Sequence, residues 1–236
     1  MIKKVFFLIV LFTSNQLDAQ SNILNQIITN TQNITENFSE EEVTKGLKEA
    51  LQVASNIAVS NASKTNGFYK NNLIKIPFPE DAIQVKKVLK KAGLESKINE
   101  FEISLNRAAE DASKVALEIF INQIKNLTLN DVYSILKGSN TEATDYLKEN
   151  TYDKLYNSFF PIVKNSINKV DLTKKWEALM KHYNKIPLVK KVNPDLNAHV
   201  TLKAIEGLFI LTAIEEEKIR NKVEYRTTEL LQKIFQ

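Results

Sequence analysis

From Leu94 to Ile119 apolar side chains return at alternating spacings of four and three residues, at Leu94, Ile98, Phe101, Leu105, Ala108, Ala112, Val115 and Ile119. A seam with a period of about 3.5 residues is buried by an α-helix lying on a partner helix at a shallow crossing angle. The spacing predicts one long helix from Leu94 to about Lys125. Ala108, Ala109, Ala112 and Ala116 make its middle thin, so a neighbour can approach closely there. Composition carries the same conclusion outward. The 236 residues include five Gly, five Pro and no Cys, and 43% of them are hydrophobic. That share is enough for a core, which argues against disorder. Without Cys there are no disulfide staples, no thiolate zinc or iron–sulfur sites and no thiol nucleophile.

The first residues read as an address. Lys3 and Lys4 precede the apolar run Val5–Phe12, and Leu17-Asp18-Ala19 resembles a small-residue cleavage site. The run is far short of the roughly 20 residues that span a bilayer. The expectation is a signal peptide over 1–19, cleaved near Ala19, and a periplasmic or secreted product; a buried N-terminal helix is the plainer alternative. Loss of Lys3, Lys4 and Asp18 leaves 30 basic against 27 acidic residues. So small an excess gives no strong attraction to nucleic acid.

Residues 20–38 are rich in Asn, Gln and Thr but place Leu24, Ile27, Ile28, Thr31, Ile34 and Phe38 at helical spacing, a helical extension. An all-helical domain is expected over 39–236. Ser39 and Glu42 form a capping box opening a helix with Val43, Leu47, Ala50, Leu51, Ala54 and Ala58 on one face. It ends near Asn66-Gly67. Residues 68–79 are irregular, since Pro77 and Pro79 disfavour helix before them, yet apolar enough to pack down on the helices. Pro79 starts a helix that Gly93 ends.

Later, Thr128 caps 129–137 and Gly138 stops it; Ser139–Glu142 is a second capping box. Shorter helices follow near 151–168 and 172–184, interrupted at Asp171, then a loop over 185–193. Asn193-Pro194-Asp195 starts a long helix to about Asn221 that carries the most apolar run, Gly207–Ile214, and Thr227 caps a last one through Phe235. The fold class is all-α, a single-domain bundle of about eight or nine helices with a long central helix and a buried apolar C-terminal helix.

No phosphate-binding loop, nucleophile elbow, calcium loop or metal-binding helix motif occurs, so no cofactor and no metal are expected. Asp195 and His199 stand four apart, but an acid there suits a helix cap better than a ligand pair. Lys86, Lys87, Lys90 and Lys91 lie on one helical side, either a solvated face or a peripheral contact with an anionic membrane. Asn106/Glu110, Arg107/Asp111 and Glu216/Arg220 are each four apart, as ordinary surface pairs are. Read functionally, Asn106, Arg107, Glu110, Glu216, Arg220 and Arg226 form one polar binding site.

Several dispersed segments share an order and spacing with a known family: Gly46–Leu51, Gly67-Phe68, Ile76-Pro77, Pro79, Asn106–Glu110, Ala204, Gly207–Phe209, Glu215–Arg220 and Arg226-Thr227. Over about residues 40–235 the chain resembles the bacterial family known as domain of unknown function 4197. The resemblance implies an exported, all-helical protein and carries over no activity. The chain departs from the pattern at Asn221–Tyr225, where a Pro-containing turn is expected. The leading function is a non-catalytic binding or interaction module for a protein or small molecule. One alternative is a carrier of an apolar ligand, with Phe68, Phe159, Phe160, Ile205, Leu208 and Phe209 lining a cavity. Another is an enzyme pairing Glu110 with Glu215 or Glu216.

Overall fold

The computed structural model describes residues 39–193 and 195–235, and these form an all-α multi-helix fold with no strand among them. The expected signal peptide, the 20–38 extension and Pro194 lie outside the described residues. Helix α1 (Glu40–Ser63) opens with the expected box: Ser39 N–H donates to Glu42 Oε2 at 2.9 Å, and Glu42 N–H donates back to Ser39 Oγ at 3.3 Å. Its whole expected face is buried. The irregular strap that follows, residues 64–79, drops Phe68, Ile74, Ile76 and Phe78 into the core. A 3₁₀ turn (Glu80–Ala82) then leads into α2 (Ile83–Lys91), which Gly93 ends at φ +75°, a conformation natural to glycine.

The long seam helix proves to be two, α3 (Glu95–Ser113) and α4 (Ala116–Lys125). Ile98, Phe101, Leu105, Ala108 and Ala112 are buried as spaced. A strict 3.5-residue pattern drifts against the 3.6 residues of a straight helix by about 20° per seven residues. The break at Lys114-Val115 resets that phase. Val115 turns out to solvent, Ala116, Phe120 and Ile124 turn in, and Phe120 meets Phe209 at 5.6 Å between ring centroids.

Thr128 and Asp131 form the box of α5 (Leu129–Lys137), which stops at Gly138. The second expected box forms only by half. Ser139 N–H reaches Glu142 Oε2 at 3.1 Å, but its hydroxyl accepts from Thr141 N–H instead of Glu142. The helix expected near 151–168 begins at Glu142 and runs unbroken as α6 (Glu142–Ile167). It tolerates Pro161 because that residue and Asn157, whose carbonyl loses its donor, lie on the exposed side. Next come α7 (Asp171–Tyr183) and α8 (Leu196–Asn221), whose N-cap is Asp195. A 3₁₀ turn (Val223–Tyr225) replaces the Pro-containing turn, and Thr228 rather than Thr227 caps α9 (Glu229–Ile234).

Helix α8 is the buried apolar helix, packed against α1, α6 and α3, while α6 also lies along α3 and α4. Gly207 lets the strap close on α8: a Cβ there would stand 2.8 Å from Phe68 Cε1 and 3.0 Å from Ile74 Cβ, both in buried side chains. Gly207→Val is therefore expected to lower stability by about 2 kcal/mol in urea denaturation. An unchanged midpoint would show that the strap is not closed on α8.

Candidate functional site

Helix α3 carries a buried polar stripe, Glu102, Asn106 and Glu110, one turn apart each. It supplies the strap with the hydrogen bonds that a sheet would otherwise give. Glu110 Oε1 accepts from Phe68 N–H (3.1 Å) and Tyr69 N–H (3.3 Å). Asn106 Oδ1 accepts from Ile76 N–H (2.9 Å), and its Nδ2 donates to the Ile76 carbonyl (2.7 Å). Glu102 Oε1 accepts from Phe78 N–H (3.3 Å). The strap runs antiparallel to the helix, and the lengths agree. Two extended residues, Ile76 to Phe78, span about 6.6 Å, while four helical residues, Asn106 to Glu102, span about 6 Å. Lys86 Nζ neutralises Glu102 at 2.6 Å; Arg107 pairs with Glu110 and donates to Asn66 Oδ1 at 2.9 Å.

A second polar knot joins helix ends. Glu216, on α8, caps α6 from outside: Ala143 N–H and Thr144 N–H donate to its carboxylate at 3.0 and 2.8 Å, and the Thr144 hydroxyl adds a third bond at 2.7 Å. Arg220 pairs with it at 2.9 Å, with only 9% of the arginine side chain exposed, and donates to the Ile135 carbonyl at the end of α5. Arg226 closes α8 by donating to the carbonyls of Ile219 (3.0 Å) and Arg220 (2.8 Å).

The six expected site residues thus fall into two groups of three. Among the described residues no hydrogen bond or ion pair joins the groups. Phe68, held by Glu110, packs on Gly207, and Glu216 lies nine residues further along α8, about 13 Å of helix. The carboxylate pairing of the enzyme reading does not form: Glu110 and Glu216 are committed to backbone donors, and Glu215 pairs with Lys218 at 2.7 Å. The six apolar residues proposed to line a cavity do not line one together. Five are core residues, and Phe160, half-buried, stacks on Tyr156. Of the four clustered lysines, Lys86 pairs with Glu102 and Lys90 with Glu95, leaving Lys87 and Lys91 on the exposed face. Asp195 Oδ1 accepts from Ala198 N–H at 2.9 Å, as a cap does.

The strap, once fixed, forms one wall of a cleft of about 390 Å³ against α8 and α7. Its apolar lining includes Ile74, Phe78, Trp176 and Leu196, and its rim carries Lys75, Glu80 and Asp81. Trp176, the single tryptophan, forms a three-ring cluster with Phe101 (5.0 Å, stacked) and Phe78 (5.5 Å, edge-on), which also touch each other at 4.9 Å. Its buried Nε1–H has no partner. Three hydroxyls share that state, those of Thr44, Ser55 and Thr201, all on helices with a rotatable O–H. The rigid indole has no such freedom. Trp176 and Leu196 also line a second, smaller cleft of about 270 Å³. His199 faces the main cleft. Burial, with Lys203, holds its pKa below the ordinary value against the opposing pull of Asp81 and Glu80. Sequence reasoning missed Trp176, which follows no motif, and Glu102, which completes a readable four-residue spacing.

The chain belongs to the family described as a protein of unknown function, DUF4197, whose profile it matches over residues 37–236. No curated protein and no solved structure matches it. The residues carrying the resemblance include the fasteners Asn106, Glu110, Glu216, Arg220 and Arg226 and the close-approach position Gly207.

Four outcomes check this geometry. Asn106→Ala strands the Ile76 backbone groups, at a cost of about 2–4 kcal/mol. Glu216→Ala leaves a buried arginine unpaired, at about 3–5 kcal/mol. The double variant should be additive within about 0.5 kcal/mol, because the knots share no partner; a large coupling would restore a single site. His199 binds fewer protons folded than unfolded. The stability it contributes is present above about pH 6.5 and is lost as pH falls below that value. His199→Gln should lose less stability than wild type between about pH 7 and pH 5. Parallel denaturation curves over that range would refute the burial of His199.

Proposed function

We propose that this DUF4197 member is a non-catalytic binding module whose ligand occupies the cleft between the strap and α8. The observation that carries this reading is the Trp176 Nε1–H, buried in the cleft wall without an acceptor. A buried donor left unmatched costs about 1–3 kcal/mol. The N–H is sealed from solvent, so a ligand recovers that free energy only by drawing the indole edge toward an acceptor seated in the cleft. The cleft volume also falls within the roughly 300–1,000 Å³ usual for small-molecule sites. The apolar lining selects a ligand with an apolar body. The rim offers both charge signs and, near neutral pH, an uncharged His199 able to donate or accept. We further propose that the protein is exported, on the strength of the Lys3–Ala19 pattern.

Trp176 is the natural reporter, because no other tryptophan contributes to emission. The probe 1-anilinonaphthalene-8-sulfonate combines an apolar body with acceptor oxygens. It should quench Trp176 emission with a stoichiometry of one. Ile210→Glu, placed on the cleft lining at a part-exposed position, should weaken that binding about tenfold or more. Quenching that is absent, or untouched by the substitution, refutes the cleft as the site. Native mass spectrometry of protein from its own host would show a retained small molecule, and its intact mass would show whether residues 1–19 have been removed.

A further inference from the structure

The connection between α7 and α8 is built as a closed loop. The Asn184 side chain clamps its neck by accepting from Val192 N–H at 2.8 Å and donating to the Val192 carbonyl at 2.7 Å. One flank is pinned by Lys190 to Asp81 at 2.9 Å. What the loop presents runs against ordinary surface chemistry. Ile186 and Pro187 are exposed, and Leu188 is completely so. Leu188 also holds φ +65°, a region that bulky side chains rarely adopt. Lys185 and Lys191 stand exposed on either side of this tip with no acidic partner among the described residues.

We infer that the 185–191 loop is a docking element for an anionic lipid bilayer. Ile186 and Leu188 enter the interfacial region, and Lys185 and Lys191 meet acidic headgroups. The pairing of an apolar tip with flanking lysines is the two-signal arrangement that gives stable yet reversible membrane association. The tip is too small for the roughly 1,200 Å² that a specific protein interface buries. A bilayer requires no shaped partner surface. Lys87 and Lys91 are likewise exposed, on α2, the helix that follows Asp81 in the chain. This inference is independent of the cleft and its ligand.

The test is co-sedimentation of the full chain with phosphatidylcholine vesicles, alone or mixed with phosphatidylglycerol. Wild type and variants are prepared with the same N-terminus, as found by intact mass, so differences between them report the loop. Wild type should bind mixed vesicles at least tenfold more tightly than Ile186→Asp/Leu188→Asp, and likewise more tightly than Lys185→Glu/Lys191→Glu. The lysine effect should vanish on phosphatidylcholine alone. These positions are exposed, so circular dichroism should report the same fold in every variant. Equal sedimentation of wild type and both variants, or no binding by wild type, overturns the inference.

Discussion

A strap that crosses a helical core without joining a helix or sheet must find its backbone hydrogen bonds elsewhere, since unmatched N–H groups in a dry interior are costly. Here turns within residues 64–75 satisfy part of the backbone, and the Glu102–Asn106–Glu110 stripe of α3 takes the N–H groups of Phe68, Tyr69, Ile76 and Phe78. Much else follows. The matched spacing fixes the register of residues 76–78, and the Glu110 bonds anchor Phe68 at the other end. Together these place Phe68 on Gly207 and Phe78 against Phe101 and Trp176. The strap then forms a wall of the cleft. Carboxylates are a strong choice for this task, because an ionised acceptor bonds amide donors about twice as well as a neutral one. Their charges are not left bare: Lys86 and Arg107 reach them from the rim of the buried zone.

The Glu216 knot solves the corresponding problem at helix ends. Helix α5 stops and α6 starts within five residues, which brings orphan carbonyls and orphan N–H groups close together. One ion pair on α8 serves both: the carboxylate takes the N–H groups of α6, and the guanidinium takes a carbonyl of α5. Each charge lies near the helix terminus of opposite polarity. The motif-like spacing of Glu216 and Arg220 is thereby accounted for without a ligand.

Much of this was legible in the residues. The α1 box, the face it buries, the Gly93 and Gly138 stops and the packed-down strap were all visible in local spacing. So was most of the α3 seam. Its break was not, because Val115 and Ile119 continue the apolar pattern; only packing shows that Phe120 has the better partner in Phe209. Continuity of α6 through Pro161 depends on which side faces water, which its weakly amphipathic sequence does not reveal. The six polar residues stand out in the sequence, but spacing does not separate them into two knots, since their partners lie up to 85 residues away. The same distance in sequence hides a partner within the lysine cluster: Lys86 pairs with Glu102 sixteen residues on. Trp176 had no local signature at all.

Trp176 and Leu196 serve as a shared wall, lining both the main cleft and the smaller one. A displacement of that wall alters both chambers. Were both clefts to take guests, the shared wall would link them, and linkage is reciprocal: whatever one guest did to the affinity for the second, the second would do equally to the first. Close packing of the indole against two phenylalanine rings makes the wall stiff, so such coupling would act through discrete repacking rather than gradual compression.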